Sequence, residues 1–148
     1  MTTLYVAHFG HPLLKGAKHW SFLLPISTQP GCFTAWQITG STFTYEIKPA
    51  ETVSLNSNFS SFSSSLNAST VTGLQNFMGM VPVGTIDENQ RAEFEKVVLT
   101  QVPVLRGSVD WNCQNWIVDA LAKAKESGFD VSAYSLTELQ GILEKVVA

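Results

Sequence analysis

A chain of 148 residues has the length of one domain, and its 45% hydrophobic and 11% aromatic residues suffice to fill one core, so residues 1–148 are expected to form a single unit. Charged residues make up only 14% and the formal net charge is −3, which argues against nucleic acid as a partner. No apolar run approaches the ~18 residues of a membrane span, so no transmembrane segment is expected.

Met1 to Lys15 lacks the layout of a secretory leader, and two cysteines are too few for a disulfide scaffold. A cytoplasmic protein with reduced thiols follows as the simplest expectation. The first segment with turn character is His8-Phe-Gly-His-Pro12, whose Gly and Pro predict a loop with His8 and His11 facing solvent or capping a turn. No set of His, Cys and carboxylates with metal-ligand spacing accompanies them, so neither a metal nor a cofactor is expected.

His19 opens the apolar run His19-Trp-Ser-Phe-Leu-Leu24, which reads as a strand, and Thr28-Gln-Pro-Gly31 closes it with a turn. Cys32 to Ile38 follows and ends at Gly40, so the two runs form a hairpin. Thr42 to Lys48 alternates Phe43, Tyr45 and Ile47 with polar residues, the period of a half-buried strand. Ser54 to Thr70 is serine-rich, interrupted by Phe59, Phe62 and Leu66; it reads as a surface loop or as a flap beside a substrate groove. Val81 to Ile86 is a further short strand, with Pro82 placing it at an edge or at its own start.

The second half is helical. Asp87 with Gln90, and Ser135 with Glu138, have capping-box spacing ahead of apolar stripes. Between them Cys113, Trp116, Ile117, Ala120, Leu121 and Ala124 fall on one helical face, with Asp110 or Asn112 as cap and Gly128 as stop. A strand-rich half followed by helices predicts an α+β fold, an antiparallel sheet packed against a helix that carries Cys113 at its N-terminus.

Two readings of Cys113 stand at this point. A free cysteine packs as a small apolar residue; at a helix N-terminus it can also be a nucleophile, because the unpaired amides and the dipole favour its thiolate. A nucleophilic thiol requires a base, and His19, a polar residue heading a buried strand, is the histidine suited to that role.

The order His19-Trp20 at a strand start, a following hairpin strand, and Asn112-Cys-Gln-Asn-Trp-Ile117 at a helix start resembles the circularly permuted NlpC-type branch of the papain-like superfamily, which includes lecithin retinol acyltransferase and its phospholipase/acyltransferase relatives. Val81-Pro-Val-Gly-Thr-Ile86 and Trp111-Asn-Cys-Gln-Asn-Trp116 are also similar to a group of small fungal proteins. The resemblance spans Lys18 to Asp119. It implies a cysteine hydrolase or acyltransferase with Cys113 as nucleophile, His19 as base, and a third polar residue on the second hairpin strand.

In this chain that third position is Gln37, where many relatives carry a second histidine. A glutamine carbonyl accepts the imidazole N–H and so fixes the tautomer; the alternative is a residue on the solvent side of its strand. Gln114-Asn115 also departs from the acyltransferase relatives, which have an acidic residue and a histidine there. The expected substrate is a small molecule, lipid or peptide with an amide, ester or thioester bond. Trp20, Trp36, Trp111 and Trp116 are candidates to wall it, with core packing as the other reading. A papain-like binding module without turnover, or an enzyme whose thiol adds to an activated carbon, are the rival functions.

Overall fold

The computed structural model describes residues 2–10, 19–40, 43–55, 62–63, 77–108 and 110–146. They form an α+β fold whose main sheet is antiparallel throughout. Its strands are β1 (Thr2–Phe9), β2 (His19–Pro25), β3 (Cys32–Trp36), β6 (Glu51–Leu55), β7 (Phe62–Ser63), β8 (Phe77–Ile86) and β9 (Asp130–Val131), in the spatial order β7-β6-β3-β2-β1-β8-β9. A two-stranded ribbon, β4 (Ile38–Thr39) with β5 (Glu46–Ile47), continues from the end of β3. Helices α1 (Arg91–Thr100), α2 (Cys113–Glu126) and α3 (Leu136–Glu144) complete the chain. No helix among the described residues is long and apolar enough to cross a membrane.

Strand parity divides the core in two. Leu4 and Val6, Trp20, Phe22 and Leu24, Trp36, and Val81 and Val83 join the helices in the larger cluster. The alternate residues Ala7, Phe9, Leu23, Phe33, Ala35, Val53 and Phe77 form the second cluster, on the other face. α2 buries the predicted stripe of Trp116, Ile117, Ala120, Leu121 and Ala124. Ile117 and Leu121 alone contribute about 1.5 to 3 kcal/mol each by leaving water.

The helix starts follow the sequence. Asn112 is the cap of α2: its Oδ1 accepts from the Gln114 N–H at 2.8 Å, while Asn115 Oδ1 accepts from the Asn112 N–H at 2.9 Å. Ser135 and Glu138 exchange the same pair of bonds at 3.2 and 3.0 Å ahead of α3. Gly128, at φ +97°, follows the end of α2 in the left-handed conformation that a helix stop needs.

Three local expectations are corrected. His8 lies in β1, opposite Trp20 and Gly79, and is buried rather than facing solvent in a loop. His11 lies outside the described residues. Of the described residues 43–48 only Glu46–Ile47 is strand, Thr42 lying outside the described residues, and Phe43 is 74% exposed because the chain turns back after Gly40 instead of continuing a sheet edge. β8 is ten residues long rather than six and lies between β1 and β9. β9 pairs only Gly84 and Thr85, so Pro82 has a paired strand on one side only, as expected of an edge position. It sits at a bulge: Leu4 pairs with Gly84 and Tyr5 with Pro82, leaving Val83 as the extra residue. Gly84 itself admits β9, since a Cβ there would fall 2.4 Å from the Asp130 carbonyl oxygen. Most of the serine-rich 54–70 segment lies outside the described residues.

Candidate active site

Cys113 is the first residue of α2, whose start is capped by Asn112. The N–H groups of Trp20, Cys113 and Gln114 lie in hydrogen-bonding reach of the Cys113 sulfur. Trp20 is the neighbour of His19, so the thiol reaches the strand end that carries the imidazole. His19 and Cys113 both line one cavity of about 440 Å³, together with Ile38, Thr39, Gly40, Tyr45 and Asn112. None of these other five side chains is charged at neutral pH.

The imidazole is held through one of its two nitrogens. His19 Nε2 is hydrogen-bonded to Gln37 Oε1. The hairpin register accounts for this contact: Phe22 pairs with Trp36, so Gln37 falls opposite Ser21 and diagonal to His19 on the same face. Gln37 is only 3% exposed and stands at the break between β3 and β4. Glu51 on β6 is near enough to feel the Gln37 side chain, which lowers its pKa against the larger effect of burial. Ala35 pairs with Glu51, which makes Gln37 and Glu51 diagonal neighbours in turn. His19, Gln37 and Glu51 therefore form a row across three adjacent strands. A carboxylate only accepts, so its proximity favours the Gln37 amide NH₂ on the Glu51 side and the amide oxygen towards His19. An oxygen acceptor in turn requires Nε2 to carry the ring proton, which leaves Nδ1 as the basic nitrogen.

Burial dominates the electrostatics of the pair. It holds His19 below its usual pKa, against the opposing hydrogen bond from Gln37. It also pushes the Cys113 thiol up, with the three backbone N–H groups only partly offsetting it. The helix-start argument anticipates a lowered thiol pKa, but desolvation outweighs the amides here. Both effects favour the neutral pair, thiol and imidazole, over thiolate and imidazolium at rest. Glu51 is likewise pushed up by burial, with the Lys48 charge and the Gln37 hydrogen bond opposing.

The four tryptophans are placed in the core. Trp20, Trp36 and Trp116 are fully buried under the helices, Trp111 nearly so, and none lines the cavity. Trp36 Nε1 donates to Glu95 at 3.0 Å and Trp111 Nε1 to Asp119 at 3.1 Å, which satisfies both indoles within the protein.

Two residues at the site were not singled out from the sequence. Glu51 enters through the β3–β6 register. Tyr45 enters because the chain turns tightly at Gly40, where φ is +116° and a Cβ would meet the Thr44 carbonyl oxygen at 2.6 Å. Tyr45 packs edge-on against Trp111, with ring centroids 5.8 Å apart, and Arg106 Nε donates to its carbonyl oxygen at 2.8 Å. In the sequence Tyr45 is marked only as one of the apolar-face residues of the predicted strand Thr42 to Lys48, and Glu51 carries no signal beyond its polarity. Among the described residues no group of three or more His, Cys, Asp and Glu gathers as metal ligands.

No protein-family model matches the chain, and no curated protein or solved structure does either.

Proposed function

We propose that the chain is a thiol-dependent hydrolase or acyltransferase with a permuted papain-like arrangement, in which Cys113 is the nucleophile, His19 the base and Gln37 the residue that orients it. The observation that carries this reading is the joint placement of Cys113 and His19 on one cavity, with Gln37 bonded to Nε2 of the ring. The chain order of histidine strand, glutamine strand and cysteine helix resembles the order expected of the permuted papain-like branch.

The neutral resting pair sets the mechanism. His19 Nδ1 takes the thiol proton as the sulfur attacks the carbonyl carbon of an ester, thioester or amide, and the C=O electron pair moves onto oxygen. Collapse re-forms the C=O bond and expels the leaving group, which takes the proton from the imidazolium. The acyl group now on Cys113 passes to water or to an amine or hydroxyl acceptor, with His19 again as base. Gln37 keeps Nε2 protonated throughout, and Glu51 supports imidazolium charge through the amide between them. The cavity walls carry no other ionisable group except Tyr45, so the acyl portion beside the reacting carbonyl is uncharged and small, or else extends out through the mouth. Both cysteines are free thiols, in keeping with a reducing, cytoplasmic setting.

The test uses p-nitrophenyl acetate as a generic acyl donor. The native chain releases a burst of p-nitrophenolate and gains one acetyl group, mapped by peptide mass spectrometry to Cys113. His19→Gln slows the burst by about 100-fold or more, in line with loss of a general base. Acetylation spread over lysines, with no burst and no modification at Cys113, would mark the chain as a binding module instead.

A further inference from the structure

Gln37 is the neutral link in a row that has a titratable group at each end. It is buried, so its amide takes its partners from the protein, with His19 Nε2 on one side and the Glu51 carboxyl near the other. Its backbone is fixed: the Lys48 N–H donates to the Gln37 carbonyl oxygen at 3.0 Å, and Glu51 pairs with Ala35, two residues earlier on the same strand. The end of the side chain is free to turn. Rotation about the last torsion of a glutamine exchanges its oxygen and NH₂ without displacing a carbon atom, and that torsion is broad and two-fold. The two orientations are chemically opposite. An amide oxygen facing His19 needs an N–H at Nε2, whereas an NH₂ facing it needs a lone pair there and so places the ring proton on Nδ1.

Resting on the reading of His19 as the base, we propose that Glu51 is the pH sensor of this site. A proton on its carboxyl turns the Gln37 amide about, moves the ring proton of His19 from Nε2 to Nδ1, and so withdraws the base from Cys113. Ionised, Glu51 only accepts and keeps the NH₂ on its own side. Protonated, it becomes a donor and takes the amide oxygen, which leaves the NH₂ facing Nε2. One proton enters from solvent and stays on Glu51; the ring gives up its proton at Nε2, gains one at Nδ1, and remains neutral. Burial favours this outcome over imidazolium, since it raises the pKa of Glu51 and lowers that of His19. Lys48 is the charge that acts on the carboxyl, holding it ionised against burial. From the neighbouring strands, β3 presents the uncharged Ala35 and Gln37, and β7 pairs further along, at Ser54 and Leu55.

The experiment follows the ring nitrogens of His19 by NMR in the isotope-labelled full chain as the pH falls from neutral, where the two neutral tautomers and imidazolium have distinct shifts. Acylation by p-nitrophenyl acetate is measured alongside. The expected result is a neutral ring protonated on Nε2 that exchanges to a neutral ring protonated on Nδ1, with the acylation rate falling about 100-fold at the same midpoint. Glu51→Gln has nearly the same shape but takes no proton, so the exchange disappears and the ring passes directly to imidazolium at lower pH. A native ring that passes directly to imidazolium overturns the proposal, because His19 then takes the proton itself. An exchange that persists in Glu51→Gln overturns it too, as does loss of the native circular-dichroism signal before the ring changes. If the tautomer exchanges with pH but p-nitrophenyl acetate never acylates Cys113, the acyl-transfer reading fails while the switch at Gln37 stands.

Discussion

Replacing Gln37 by leucine removes the hydrogen bond that selects the His19 tautomer while keeping nearly the same volume at a site that is 3% exposed. The variant leaves two groups without their partner: the Nε2–H of His19 and the carboxylate of Glu51. Keeping the ring proton on Nε2 in that setting costs about 1 to 3 kcal/mol. The ring escapes the cost by moving the proton to Nδ1, the nitrogen required as base. The productive tautomer then lies about 1 to 3 kcal/mol uphill, which is a factor of roughly 5 to 150 in the acylation rate. Stability falls less than rate, because tautomer exchange relieves the folded state but not the transition state. At roughly 2 to 4 °C per kcal/mol for a chain of this size, the melting temperature drops by no more than about 10 °C. Burst kinetics with p-nitrophenyl acetate and thermal unfolding by circular dichroism measure the two quantities on one sample. A leucine variant that acylates at the native rate would refute the assignment of Gln37, and a loss of rate matched by an equal loss of stability would reduce it to a packing residue.

Four further outcomes are expected. Cys113→Ser removes the burst entirely while the melting temperature stays within about 4 °C of native, since the half-buried site exchanges one small polar group for another; a larger loss marks Cys113 as structural. Glu51→Gln keeps an acceptor for the Gln37 amide but deletes the charge, so imidazolium is less favoured and the acid limb of the acylation pH profile moves to lower pH, with an unmoved limb counting against the row. In the native protein that limb lies below 6.5, because burial lowers the His19 pKa from that value. By the same linkage stability to urea declines as pH falls through 6.5, where the unfolded chain binds a proton that the folded chain refuses; His19→Gln abolishes that part of the pH dependence. Phe94→Ala opens a void against Phe22, Trp36 and Phe129, whose rings lie 5.8, 5.3 and 5.5 Å away, and costs about 3 to 5 kcal/mol in chemical unfolding.

The legible parts of this fold were those written in short-range patterns. The β2–β3 hairpin announces itself by two apolar runs and a Pro-Gly turn, and α2 and α3 by their stripes and caps. β1 carries no such pattern: Leu4 and Val6 point to one cluster, Tyr5 and Ala7 to the other, and a strand covered on both faces has no alternation to read. The Phe43 alternation misled for the converse reason, since a period of two records side-chain direction and not whether a partner strand is present. At the site, the contact of His19 with Gln37 follows from hairpin register alone. Proximity in sequence is a poor guide to the tryptophans, because Trp20 and Trp36 are adjacent to His19 and Gln37 and for that very reason project from the opposite face of the sheet. Glu51 and Tyr45 arrive through a third strand and a tight turn, neither of which leaves a local mark.

The cavity draws its walls from residues 19, 38 to 40, 45, and 112 to 113. Cys113 and His19 thus belong to segments separated by most of the chain, and they come to share one cavity only after the sheet has closed around β1 and α2 has docked on it. Contacts of such long sequence separation form late and slowly, because the entropy of closing the intervening loop is lost before any of them forms. Activity therefore has no partially folded precursor: an intermediate with the hairpin and the helices in place but undocked holds an ordinary thiol. During refolding from urea, recovery of the acylation burst should lag behind the recovery of helical signal, and the reactivity of Cys113 becomes a clock for the last step of assembly.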